Sequence, residues 1–142
     1  MKPVSARRDD KIAYALLLVL ATVQLGFNLY WAGVEGLGRL GLWPRAWVWF
    51  DLDAFLAGEL GLSQLIFATF VGLFFAAYVL ILMRRRGAFW LLLAAVIAGR
   101  IDWILLAFND FLNGSWMVLA EIATQLVALL LCWGLRARGF FR

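Results

Sequence analysis

Four stretches of about 20 apolar residues occupy most of this chain of 142 residues: Ile12–Ala32, Ser63–Met83, Phe89–Phe108 and Trp116–Leu135. Roughly 20 such residues in a helix are needed to cross about 30 Å of bilayer hydrocarbon. Lipid offers the backbone no hydrogen-bonding partner, so a spanning segment must be helical or part of a closed barrel. The chain is 65% hydrophobic and only 15% charged, whereas a soluble domain is nearer half apolar. The pattern predicts an all-α membrane protein, a single four-helix up-down transmembrane domain covering residues 1–142. The spans use nearly the whole length, which leaves no room for a separate soluble catalytic unit. The first span runs on into Phe27, Asn28, Leu29, Tyr30 and Trp31 with no small-residue cleavage site, so it is expected to persist as a helix rather than act as a cleaved leader.

Charge placement predicts the topology. Lys2, Arg7, Arg8 and Lys11 precede the first span, Arg84, Arg85 and Arg86 join the second to the third, and Arg136, Arg138 and Arg142 follow the fourth. The opposite side carries only Arg39 and Arg45. By the positive-inside rule both termini lie in the cytoplasm. The net charge of +4 then reflects topology and attraction to anionic lipid headgroups, not a nucleic-acid footprint. A single Cys132 excludes an internal disulfide, and the absence of histidine removes the commonest metal and haem ligand, so no metal or other cofactor is assigned.

The short connections Arg84–Ala88 and Asn109–Ser115 make spans two, three and four antiparallel neighbours. The one long connection, residues 33–62, is rich in aromatic residues and expected on the outer face. Gly36, Gly38 and Gly41 argue against a continuous helix there, and Pro44 suits the first turn of a short one. Trp43, Trp47, Trp49, Phe50 and Phe55 are too apolar for a free loop, which places the segment at headgroup level or over the bundle mouth. Arg45, Asp51, Asp53 and Glu59 do not share one side of a helical wheel. A bend near Asp51–Asp53, with an aspartate capping the next helix, is therefore expected. The alternative reading of Asp51 and Asp53 as a metal-nucleotide acid pair rests on three residues only.

Inside the spans, ionisable residues are costly and mark function or assembly. Taking 1.5 Å per residue, Arg100 falls near the bilayer centre, with Asp102 about 4 Å and Glu121 about 7 Å farther out. Glu121, Thr124 and Gln125 share a face of span four, and Gln24, Asn28 and Trp31 share one of span one that continues to Glu35. Arg100 and Asp102 lie about 200° apart round their helix, so they face different neighbours. Trp103, one helical step from Arg100, is placed to stack on the guanidinium or line a pocket. The candidate polar cluster is thus Arg100, Asp102, Trp103, Glu121, Thr124, Gln125, Gln24, Asn28 and Trp31. It admits two readings: an interhelical ion pair with amide cross-links that set helix register, or a ligand or proton site in the outer half. The remaining tryptophans read as an interfacial belt, and Gly72 and Gly99 as points of close helix approach.

Gly58, Glu59, Leu60 and Gly61 before span two, Gly99 and Arg100 inside span three, Asp110 at its outer end and Glu121 in span four together resemble the DoxX-like four-helix inner-membrane families. Asp102 and the tryptophan-rich outer segment depart from that pattern. The resemblance covers about residues 12–136 and implies a bundle of the bacterial cytoplasmic membrane. A looser likeness is to sterol-isomerase-like and sigma-2-receptor-like four-helix proteins, which place intramembrane acids around a lipid-sized cavity.

Three function classes follow. The first is a non-enzymatic bundle that binds a lipid or hydrophobic small molecule, or that serves as an accessory subunit of a larger membrane complex. The second is a proton- or ion-coupled transporter acting as a homo-oligomer with Glu121 or Asp102 titrating. The third is an intramembrane lipid or isoprenoid enzyme with Glu121 as acid or base and Arg100 stabilising negative charge. No complete catalytic set can be assigned, and the first class is the expectation.

Overall fold

The computed structural model describes residues 8–48, 51–58, 61–107 and 116–142. Helix α1 runs Arg8–Arg39, α2 Leu52–Gly58, α3 Gly61–Leu82, α4 Ala88–Ala107 and α5 Trp116–Ala137, with a 3₁₀ turn at Arg45–Trp47. The four long helices are apolar and long enough to cross a membrane, and the chain is a multi-pass, all-α membrane protein. In space they form a ring: α3 and α4 are the tightest pair, α1 packs on both α3 and α5, and α4 meets α5. Bulky side chains such as Val23, Leu65, Ile104, Leu119 and Leu130 point outward and are more than half exposed, as lipid-facing residues must be. Phe108, the connection Asn109–Ser115 with its Asp110, and Trp49, Phe50, Glu59 and Leu60 lie outside the described residues.

One expectation is overturned. Gly33, Gly36 and Gly38 do not end the first helix; α1 continues through them to Arg39, for 32 residues. A glycine inside a helix costs only about 0.5–1 kcal/mol, and here packing outweighs that cost. The last two turns of α1 carry Val34, fully buried against Leu52 and Phe55 of α2. Gly33 gives the Trp43 ring its place, since a Cβ there would stand 2.6 Å from the indole. The helix stops at Gly41, whose φ of 68° allows the bonds Gly41 N–H to Gly38 O and Leu42 N–H to Leu37 O, the paired pattern of a Schellman cap. Pro44 leads the 3₁₀ turn. Asp51 caps α2 as expected, its Oδ1 accepting the N–H groups of Asp53 and Ala54, while Asp53 pairs with Arg45 at 2.9 Å.

At the end of the bundle where α1 begins and α5 ends, packing is apolar. Leu17, Phe74, Ile81, Leu92, Cys132 and Leu135 form a buried core, and Phe141 from the segment after α5 is 1% exposed. That segment turns at Gly139, φ 73°, and pairs its backbone with the α3–α4 turn: Arg142 N–H donates to Arg84 O and Arg86 N–H to Arg142 O. Arg84 holds a left-handed backbone, φ 52°, and its guanidinium lies 4.9 Å from the Tyr14 ring centre. Asp10, nearly buried, accepts Arg138 Nε at 2.8 Å and ties α1 to the end of α5. Neither the tail packing nor the Asp10–Arg138 pair was evident in the spacing of residues.

Gly99 opposes Phe70, whose ring would lie 3.2 Å from an added Cβ, so it does set the α3–α4 approach; Gly72 faces open space and sets none. The glycines of α1 supply a test. Gly33→Ala adds a methyl where Trp43 already sits, and overpacking of this kind costs about 1–3 kcal/mol. Gly36→Ala meets nothing within 4 Å and gains about 0.5–1 kcal/mol of helix stability. Thermal unfolding in detergent, followed by circular dichroism, should show a lowered midpoint for the first and a raised one for the second.

Candidate functional site

Towards the far end from the termini, the ring of helices encloses polar groups. Helix α5 supplies Glu121 and Gln125, one turn apart, both buried. Gln125 Nε2 donates to Glu121 Oε1 at 2.7 Å, and its own Oε1 accepts Arg100 Nη2 from α4 at 3.0 Å. Arg100 Nη2 stands 3.6 Å from Glu121 Oε1, too far for a hydrogen bond yet close enough for strong attraction away from water. From α1, Gln24 Nε2 donates to the same carboxylate oxygen at 3.3 Å. Trp103 on α4 donates its indole N–H to Glu121 Oε2 at 3.2 Å; the indole therefore serves the acid rather than stacking on Arg100.

The three hydrogen bonds that reach Glu121, from Gln125, Gln24 and Trp103, are all donated to it. A carboxylate accepts only, whereas a carboxylic acid needs an acceptor for its proton, so the surroundings suit the ionised form. Charge also dictates how the amides lie. Gln125 must turn its NH₂ to Glu121 and its oxygen to Arg100, and Gln24 must turn its NH₂ inward. Gln24 Nε2 then also donates to Asn28 Oδ1 at 3.0 Å. With that oxygen taken, Asn28 is left with its Nδ2 buried and without an acceptor, as are Nε and Nη1 of Arg100.

Asp102 faces the other way, as its angular separation from Arg100 requires. It is 5% exposed and accepts Ser63 Oγ from the first turn of α3 at 2.7 Å. Between this pair and the Glu121 cluster lies a half-open cleft of about 50 Å³ whose walls come from all five helices: Phe27, Asn28, Trp31 and Glu35 of α1, Phe55 of α2, Phe67 and Phe70 of α3, Gly99, Asp102 and Trp103 of α4, and Glu121 of α5. One water needs about 10–15 Å³ of such space, so the cleft has room for several waters or for part of a slender molecule.

Of the nine residues expected in a cluster, the structure joins Arg100, Trp103, Glu121, Gln125, Gln24 and Asn28 by direct contacts. Asp102 and Trp31 stand on the cleft wall. Thr124 does not join them; its hydroxyl returns to Ala120 O of its own helix at 2.8 Å, the usual alternative partner for a threonine within a helix. Phe27, Phe55, Phe67 and Phe70 were not singled out from the sequence, although Phe67, Phe70 and Phe74 at helical spacing carried the signal of one aromatic face. Ser63 acquires its partner through the way α3 is rotated on α4, which spacing along one helix does not give.

The two charged members should differ in cost. Glu121→Leu removes the shared acceptor of Gln24, Gln125 and Trp103 and leaves the partly buried Arg100 without its nearest counter-charge, a loss of about 2–4 kcal/mol, below that for a fully buried pair. Arg100→Leu leaves Glu121 with three donors and should cost less, about 1–3 kcal/mol. Equilibrium unfolding in bicelles measures both, and equal losses would contradict the hub role of Glu121.

Family models, curated proteins and solved structures alike give no match to this chain, so its function must be argued from this site.

Proposed function

We propose that the protein is a non-enzymatic four-helix membrane protein that holds a lipid or other hydrophobic small molecule in the aromatic cleft, either for itself or as an accessory subunit of a larger membrane complex. The observation that carries this reading is the buried, acceptor-less Nδ2 of Asn28 on a residue of the cleft wall. An unsatisfied buried donor costs about 1–3 kcal/mol, a cost that an occupant offering an acceptor relieves. The aromatic lining suits an apolar body, and pockets of this make-up, mostly apolar with few polar groups, are the usual form of small-molecule sites.

The other two readings draw less support. Acid or base catalysis by Glu121 requires a proton to exchange with substrate, and its oxygens are already engaged by Gln24, Gln125, Trp103 and the charge of Arg100. Coupled transport requires access from both ends, and the half near the termini is filled by Leu17, Phe74, Leu92, Cys132 and Phe141. The DoxX-like character belongs to the proposal too: Gly99 and Glu121 line the cleft and Arg100 adjoins it, while Glu59 and Asp110 lie outside the described residues. With it goes a bacterial cytoplasmic membrane and an orientation with both termini inside, supported by the arginines at 84–86, 136, 138 and 142.

Two measurements test this. A fluorescent protein fused after Arg142 should be bright and alkaline phosphatase fused there inactive; the reverse refutes the orientation. Mild-detergent purification followed by native mass spectrometry should show a stoichiometric non-protein mass on the wild type. Phe67→Trp, which fills the cleft, should lose that mass while keeping the wild-type helical circular dichroism. A wild type that carries nothing, or a variant that carries as much, would overturn the ligand-binding reading.

A further inference from the structure

We infer that the occupant of the cleft is a neutral, flat, apolar molecule bearing a hydroxyl group, held by that hydroxyl between Asn28 and Asp102; this rests on the ligand-binding reading above. The argument is one of donors and acceptors. Asn28 is 2% exposed, and with its oxygen engaged by Gln24 the group it has left to offer is an N–H donor. Asp102 and Glu121 offer only acceptors when ionised. Of these, Glu121 is already served by Gln24, Gln125 and Trp103, whereas Asp102 receives a donor, Ser63, on Oδ1.

A group that satisfies both walls must accept from Asn28 and donate to Asp102, and a hydroxyl does both. An anion is repelled by the carboxylates in the lining. A cation suits the carboxylates but meets the N–H of Asn28 with the wrong sign and finds Arg100 close by. An ether or ketone satisfies Asn28 alone. The body attached to the hydroxyl meets Phe27 and Trp31 of α1 on one side and Phe67 and Phe70 of α3 on the other, walls that favour a planar ring. At about 50 Å³ the cleft takes the hydroxyl end and the leading edge of the body rather than a whole ring, and the remainder of the molecule extends outward.

The test uses the full chain in phosphatidylcholine vesicles and four brominated probes that quench tryptophan at short range: 4-bromophenol, 4-bromoanisole, bromobenzene and 4-bromobenzylamine. Trp31 and Trp103 on the cleft wall report occupancy as a saturable component above membrane partitioning. The expected result is 4-bromophenol binding about tenfold more tightly than bromobenzene, the gain of roughly one net hydrogen bond, with 4-bromoanisole weaker than the phenol. Asn28→Leu should reduce the tenfold ratio to about threefold, since the bond to Asp102 remains, while bromobenzene still binds; the wild-type ranking carries the test even if that variant does not fold. Equal binding of phenol, ether and bromobenzene overturns the hydroxyl assignment and leaves the cleft a purely apolar site. Tightest binding by the amine overturns it in favour of a cation site. No saturable quenching by any probe sinks the ligand-binding reading itself, and the hydroxyl assignment with it.

Discussion

The Glu121 carboxylate is the group around which this bundle is arranged. Away from water an ionised acid without donors costs several kcal/mol, and here the donors come from α1, α4 and its own helix α5. A helix turned by one residue, about 100°, would carry its donor out of reach. The same logic repeats at each seam of the ring. Ser63 to Asp102 links α3 to α4, Tyr14 to Ile81 O and Thr22 to Tyr78 link α1 to α3, and Arg138 to Asp10 closes α5 on α1. Between helices in lipid there is no hydrophobic driving force to choose one packing over another. These few polar contacts are what distinguish the observed register from its near alternatives.

The two halves of the molecule answer different demands. Where α1 begins and α5 ends, small and large apolar side chains interlock and Phe141 completes the filling. In the other half, charge sets the direction of every amide in turn, from Arg100 through Gln125 to Glu121 and back out through Gln24 to Asn28. The donor stranded at Asn28 is therefore not an isolated defect. It is the last step of an order imposed by a carboxylate two side chains away.

Much of this was legible in the residues. Span length foretold the four long helices, because it follows from bilayer thickness and needs no partner. The i, i+4 pairs Gln24–Asn28 and Glu121–Gln125 meet as helical spacing requires, and Arg100 and Asp102 diverge for the same reason. What escaped depends on contacts between elements. Helix α1 outlasts its glycines because Val34 and Trp43 pack beside them, a gain that propensity does not register. Ser63 acquires its role only through the rotational register of α3 on α4. Thr124 shares a face with Glu121 but satisfies itself on its own backbone, and the Phe140–Phe141 segment lies past two arginines, where hydropathy gives no hint of burial.

Helix α2 is only seven residues long, and a helix that short has little stability of its own; it stands because Asp51 caps it and because Leu52 and Phe55 lean on Val34. Phe55 is also part of the cleft wall. Order in α2 and any filling of the cleft are thereby linked reciprocally: a molecule that touched Phe55 from within would steady α2, and whatever loosened α2 from outside would weaken the hold on such a molecule by the same factor.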